Sequence, residues 1–252
     1  MAAASALQIE RVPCLSDNYA WLLHEPTSQC TAVVDPSEAG PVRAALARSG
    51  YTLTHILNTH HHWDHTGGNA ELKAEFNCTV VGPAADRDRI PGIDVALAGG
   101  DTYSVGAASF TCFDTPGHTR GHITLYCPSA AALFPGDTLF SLGCGRLFEG
   151  TPAQMWASLS KLVPLPAETR VYCAHEYTQS NARWVLFPGE DKRCFAWGCG
   201  RLFVCCHAGP DVGLPPSPRY APPAPPAPSL RRQVCAARGP RQRGAAAAQR
   251  RD

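Results

Sequence analysis

The sequence predicts a layered α/β (α+β) domain in which sheet packs on sheet, followed by a segment with no core of its own. Three observations carry that reading. Short apolar or alternating strand signals, with helical ones interspersed, run through residues 1–184 of the 252. Three polar singlets, His118, Asp137 and His175, each follow a strand signal by a short turn, where a rigid sheet can aim several side chains at one point. Composition then breaks. Residues 1–184 carry 11 Lys/Arg against 17 Asp/Glu, a net −6, whereas residues 185–252 carry 11 against 4, a net +7. The domain boundaries are therefore set at 1–184 and 185–252.

Taken in order, residues 8–13 alternate as a half-buried strand does, and 19–24 and 31–35 read as two more strands. Pro36 and the Gly40-Pro41 pair break the pattern, and 42–49 reads as a helix stopped by Gly50. Residues 53–58 form a short strand running into a histidine cluster. Gly67-Gly68 is a turn, and Asn69 is expected to cap a helix over 70–76. Strand signals recur at 79–81, 109–113, 123–127, 132–134 and 170–173. Residues 152–162 read as a helix with proline in its first turn.

The second segment has no core-forming periodicity. Nine of the nineteen residues from 210 to 228 are proline, and 230–252 holds seven arginines and an alanine run, so a disordered tail is expected. Without interleaved aromatics it does not read as a nucleic-acid arm. Cys199, Cys205, Cys206 and His207 match no zinc-knuckle spacing. The other cysteines are scattered and read as reduced thiols of a cytosolic-type protein. No signal peptide or Arg- and Ser-rich leader is visible, and no apolar run reaches the roughly 18 residues of a membrane span. A cytoplasmic monomer is expected, with the mitochondrion as the alternative compartment.

The chemistry concentrates in Thr59-His60-His61-His62-Trp63-Asp64-His65. Together with His118, Asp137 and His175 this segment can supply seven donors: His60, His62, Asp64, His65, His118, Asp137 and His175. A zinc ion takes about four ligands, and a catalytic one keeps a position open, so the count points to a two-metal hydrolytic site. A zinc-protease helix is excluded, because His62 stands where its glutamate belongs. An irregular, extended loop is expected instead, with His60 and His62 on one ion and Asp64 and His65 turned toward a second. Asp137, arriving alone, is the natural bridge. Two ions about 3.5–4 Å apart can share a water that ionises near pH 7, so no serine or cysteine nucleophile is required. Asp64 and Asp137 are the expected catalytic carboxylates. His61 reads as structural and His122 as a residue supporting the ligands, while His24, His55 and His207 read as ordinary histidines. Imidazole and carboxylate suit zinc first, with iron or manganese as alternatives.

The His60-x-His62-x-Asp64-His65 pattern resembles the signature of the metallo-β-lactamase superfamily. More narrowly, residues 8–184 resemble glyoxalase II, the hydroxyacylglutathione hydrolases. The matching stretches are Asp17-Asn18-Tyr19, Val34-Asp35-Pro36, residues 59–65, Thr115-Pro116-Gly117-His118, residues 136–140, 144–150 and 172–177. The resemblance implies an αββα sandwich and hydrolysis of S-D-lactoylglutathione to glutathione and D-lactate, the last step of methylglyoxal detoxification. It implies that His60, His62 and His118 hold one divalent ion and that Asp64, His65 and His175 hold the other. Asp137 would lie between them, and Arg146, Phe148 and Tyr177 would line the glutathione site. Pro135 and Ala174 depart from the family pattern, Ala174 mattering only if its backbone needs positive φ. After residue 182 the family continues into a helical region that completes the glutathione pocket, and residues 185–252 do not resemble it. Two alternatives follow: an impaired, truncated product, or a mononuclear iron dioxygenase of the same fold acting on glutathione persulfide. The 144–150 stretch favours the hydrolase.

Overall fold

A computed structural model describes residues 7–186, with side chains to residue 183. The expected tail and the Cys199–His207 group lie outside the described residues. The first sheet has six strands in sequence order: β1 (Gln8–Cys14), β2 (Asn18–Glu25), β3 (Cys30–Val34), β4 (His55–Leu57), β5 (Thr79–Pro83) and β6 (Val95–Leu97). Strands β1 to β3 pair antiparallel and β3 to β6 parallel. The second sheet has the order β11-β10-β9-β8-β7, from β7 (Thr102–Val105), β8 (Ala108–Asp114), β9 (Ile123–Cys127), β10 (Ala132–Phe134) and β11 (Arg170–Val171). Helices α1 (Ala39–Ser49), α2 (Trp63–Thr66) and α3 (Asn69–Phe76) belong to the first half. Helices α4 (Pro152–Leu162) and α5 (Thr178–Leu186) belong to the second.

Successive side chains of a strand point to opposite faces, so a strand covered on both faces reads as an unbroken apolar run. Residues 20–23 show this. Trp21 and Leu23, with Val34, Leu57 and Val81, meet Phe110, Cys112, Leu125 and Phe134 of the other sheet. Ala20 and Leu22, with Val33, Ile56 and Val80, turn the other way onto Val42, Ala45, Leu46 and Leu72 of α1 and α3. On the far side Tyr126, Leu133 and Val171 pack on Leu162 of α4. The layers run helix, sheet, sheet, helix, the αββα sandwich that the resemblance implied.

Strand direction places the working edge. β8 and β10 both run antiparallel to β9, and β11 runs parallel to β10, so the carboxyl ends of β8, β10 and β11 share one edge. In the first sheet the carboxyl ends of β3 and β4, and the turn from β1 to β2, lie together by the same reasoning.

Several local expectations change. α1 begins at Ala39, because Pro41 lies in the first turn, where its missing N–H is harmless. Asn69 is the first residue of α3 instead of its cap; its buried amide bonds Asn58 Oδ1 (2.7 Å) and the Pro91 carbonyl. The strand expected at 170–173 pairs only through Val171, since Cys173 and Ala174 turn to meet β2, where the Tyr19 N–H donates to the Ala174 carbonyl. Strands β6 and β7 and helix α5 were not anticipated. The cysteines within the described residues are free thiols, and Cys14, Cys78, Cys112, Cys127 and Cys173 are buried.

Glu25 ties the turn between β2 and β3 to the hairpin of β7 and β8. Its carboxylate accepts from the N–H groups of Thr27 (2.8 Å), Ser28 (2.9 Å) and Ala107 (3.2 Å) and from the Ser28 hydroxyl. The Ser28 hydroxyl, followed by these backbone donors, lowers the carboxyl pKa from 4.5 to about 2. A depressed folded-state pKa stabilises above the unfolded value, and that contribution is lost as pH falls through the folded one. Glu25→Gln is therefore expected to lower Tm at pH 7. The gap to wild type should close between about pH 4.5 and pH 2 in melting curves taken across that range.

Candidate metal centre

Beyond β4 the chain is pinned before it reaches the first donor. The Thr59 N–H and hydroxyl donate to the Asp35 carboxylate at 2.8 and 2.7 Å, and the Thr59 carbonyl accepts from the Ile123 N–H. Asp35 sits at φ 49°, a left-handed conformation that aspartate tolerates better than most residues, and is buried. The chain bends at Thr59 and His60, passes through His62 (φ −59°, ψ 144°) and then winds into the single turn of α2. The loop expected at 60–65 is thus irregular as far as His62 and helical from Trp63. His60 and His62 lie on the irregular part, and Asp64 and His65 ride on the helical turn.

The structure brings all seven expected donors together. His60 Nε2 and His118 Nε2 lie 3.1 and 3.0 Å from His62 Nδ1. His65 Nε2 lies 3.3 Å from His175 Nε2, 3.6 Å from Asp64 Oδ2 and 3.4 Å from Asp137 Oδ1. His175 Nε2 is 3.5 Å from Asp64 Oδ2 and 3.4 Å from Asp137 Oδ1. The other oxygen, Asp137 Oδ2, faces His118 Nε2 at 3.3 Å. Three overlapping groups could each hold an ion: His60, His62 and His118; His60, His65 and Asp137; Asp64, His65 and His175.

The ring nitrogens on the far side decide which atoms face inward. His118 Nδ1 meets the Arg146 carbonyl (2.8 Å), His65 Nδ1 the Asp35 carboxylate (3.1 Å) and His175 Nδ1 the Asp17 carboxylate (2.8 Å). Each of these partners is an acceptor, so each Nδ1 carries the proton and, in the neutral ring, each Nε2 presents a lone pair to the centre. Lone pairs converging on one another need a cation. Asp137 Oδ1 is likewise buried with no hydrogen-bond partner. Donors bound at about 2.0–2.1 Å on a tetrahedral ion lie about 3.3–3.4 Å apart, the middle of the observed spacing. The donor set therefore fits divalent metal.

Electrostatics point the same way. Burial opposes a charge on His65, but Asp137 and Asp35 outweigh it and raise its pKa to about 9. His175 is raised despite its burial, by Asp137 and Asp17. For Asp137 burial is outweighed by the charges of His65 and His175, and its carboxyl falls well below the usual range. This negative field favours a cation at that place. His62, by contrast, drops to about 4 through burial and the neighbouring His118.

Further residues hold the donors. The Asn18 amide donates to Asp64 Oδ2 (3.2 Å) and to the Asp64 carbonyl (3.0 Å), which also accepts from the Ser37 hydroxyl. His122 is not among the converging donors. Its Nε2 accepts from the Asp137 N–H (3.1 Å) and its Nδ1 meets the Thr115 and Thr138 hydroxyls. Burial holds its pKa down to about 3, so it stays neutral. His61 turns away: Nδ1 meets Asp86 (2.8 Å) and Nε2 accepts from Arg89 (3.2 Å). Gly136 stands at φ 49°, and a Cβ there would fall 2.3 Å from Thr59 Oγ1, so glycine before Asp137 is a packing requirement. Ala174 has no positive φ, which removes the concern raised by the missing glycine. Sequence reasoning gave no role to Asp17, Asn18 or Asp35, although their short stretches stood out; Asp17 and Asp35 flank apolar strands, and Asn18 opens one.

The three residues expected to contact substrate rim this centre. Phe148 is exposed and sets its ring edge-on to His62 and His118, at centroid distances of 5.7 and 5.2 Å. Tyr177 stacks on His175 (4.9 Å, 7°), and its hydroxyl pKa rises to about 12, chiefly through burial, with the nearby Arg146 charge opposing. Arg146 itself is exposed.

A catalytic architecture of this kind defines a class. Residues 16–175 match the model of the metallo-β-lactamase superfamily, and the chain belongs to it. Solved structures agree. A B3 metallo-β-lactamase, BLEG-1, superposes with a TM-score of 0.62 at 27% identity, covering 67% of this chain and 92% of that one. ETHE1 from Myxococcus xanthus gives 0.61 at 31%, covering 68% and 76%. Within the superfamily the chain is a member of the hydroxyacylglutathione hydrolases. It is 61% identical over 180 residues to the hydroxyacylglutathione hydrolase of Methylococcus capsulatus, covering 71% of this chain and 70% of that protein. No helix among the described residues is long and apolar enough to cross a membrane.

Proposed function

We propose that this protein hydrolyses an acylglutathione thioester, S-D-lactoylglutathione, to glutathione and D-lactate. The observation that carries the reading is the divided Asp137 carboxylate, with Oδ1 facing His65 and His175 and Oδ2 facing His118. On this reading His60, His62 and His118 would hold one ion, Asp64, His65 and His175 would hold the second, and Asp137 would lie between them. The donor set accepts zinc, iron or manganese, with zinc first. When bound, such a pair supplies an activated water and polarises a carbonyl.

The chain's own part is placement. Asp17 and Asp35 keep His175 and His65 in the tautomer that points Nε2 inward, and the Arg146 carbonyl does so for His118. Arg146 offers a charge-assisted contact to an anionic, peptide-like substrate, and Phe148 and Tyr177 offer apolar walls. A thiolate leaves with little help, because its thiol has a pKa of about 8.5, so no protein general acid is required. The second donor group, Asp64 with His65 and His175, favours this two-ion reading over a one-ion dioxygenase.

The test is thiol release from S-D-lactoylglutathione by the full chain, with elemental analysis of the same sample. Turnover with two ions per chain is expected. Stripping the protein with a chelator should abolish turnover, and adding back zinc, iron or manganese should restore it. A fully loaded chain that releases no thiol would overturn the proposal.

A further inference from the structure

Four segments around the metal centre meet outside it in a network of charges. Asp86, in the 3-10 turn at 84–89, has a fully buried side chain and faces both His61 Nδ1 (2.8 Å) and the Arg89 guanidinium. Arg89 reaches Glu149 Oε1 at 2.6 Å. Glu149 Oε2 also accepts from the Arg120 N–H at 2.8 Å. Packing here is close, since a Cβ on Gly121 would fall 2.2 Å from the Asp86 carboxylate. The network joins the donor loop through His61, the 84–89 turn, the segment after His118 and the loop that ends in Glu149.

That last loop carries Arg146 and Phe148. Its inner side is fastened to a metal donor: the Phe148 and Glu149 N–H groups both donate to the His118 carbonyl (3.2 and 3.3 Å), and the Arg146 carbonyl accepts from His118 Nδ1. Its outer side is held by the Glu149 carboxylate, which bonds the Arg89 guanidinium and the Arg120 N–H, and just beyond it the Gly150 N–H donates to the Gly117 carbonyl (3.0 Å). The Arg89 hydrogen bond is the largest influence on the Glu149 carboxyl, whose pKa falls to about 2. It is therefore charged, and the pair persists, throughout the physiological range.

We propose that Glu149 and Arg89 are positioning residues for substrate choice: their ion pair sets the loop so that Arg146 and Phe148 meet the glutathionyl part of the thioester, without touching the reacting atoms. The proposal rests on the thioesterase reading above. It assigns the 84–89 turn a part in specificity although none of its side chains faces the metal donors. It also explains why the loop's acid sits one residue beyond Phe148, where it can reach the turn.

Glu149→Gln keeps the shape and removes the charge. The expected result is a rise of about tenfold in KM for S-D-lactoylglutathione, with kcat within about twofold. Metal content should stay at the wild-type value. Turnover of a simple acyl thioester without the peptide should not change, and that comparison separates positioning from general weakening of the fold. Arg89→Gln should reproduce the effect, and the double variant should be no worse than either single one. An unchanged KM, equal losses on both thioesters, or loss of metal would each overturn the proposal. Wild-type protein that hydrolyses neither thioester would instead defeat the thioesterase reading, and this proposal with it.

Discussion

Asp137→Asn is expected to lower kcat for the thioester by at least about 10³-fold, equivalent to about 4 kcal/mol of transition-state stabilisation. The substitution keeps the size of the side chain but leaves one oxygen where two were used. One oxygen faces the His65–His175 pair and the other faces His118, so a single amide oxygen serves only one side. The NH2 group would point a donor at a place where the rings already present lone pairs or compete for a cation. Elemental analysis should show fewer than two ions per chain. Because Asp137 is buried, a melting curve of the stripped protein belongs with the kinetics, to show that the variant still folds. A variant that keeps two ions and loses less than tenfold in kcat would contradict the role assigned to this carboxylate.

Asp17→Asn should divide the pair of ions. Asp17 Oδ1 lies 2.8 Å from His175 Nδ1 and touches no donor of the His60, His62 and His118 group. Losing this charge makes His175 a weaker ligand and leaves its ring free to turn. Outer partners of this type are worth about 10–100-fold in metal affinity. Titration with a competing chelator should therefore show two-step release, with one ion leaving early and the other held as in wild type. Simultaneous weakening of both ions, or of neither, would argue against independent halves. Asp17 is partly exposed (38% of its side chain), so the substitution loses little packing and folding should not mask the result.

Much of the fold was legible because its strands are buried on both faces. Runs such as residues 20–23 and 32–34 are apolar without interruption, and 123–127 is buried at every position, as a strand covered on both faces requires. Shorter elements were not legible. β6 has three residues, and β7, although it alternates polar and apolar, has only four, too few for the period to stand out. The 59–65 segment announced metal chemistry by residue type alone, and the later singlets stood out because each follows a strand. The inward tautomer of each ring could not be read, since it depends on partners such as Asp17 for His175, 158 residues apart in sequence.

By itself the sequence determined the layered class and singled out seven candidate donors, four in an early cluster and three as later singlets. These follow from side-chain chemistry and from periodicities of two and 3.6, which are local. Only the tertiary structure decided which nitrogen of each histidine faces the centre, that His61 turns out to Asp86 and Arg89, and that Glu149 fastens the loop bearing Arg146 and Phe148. The physical reason is that strand order and direction bring the carboxyl ends of β4, β8, β10 and β11 to one edge, and contacts made there join residues no local pattern relates.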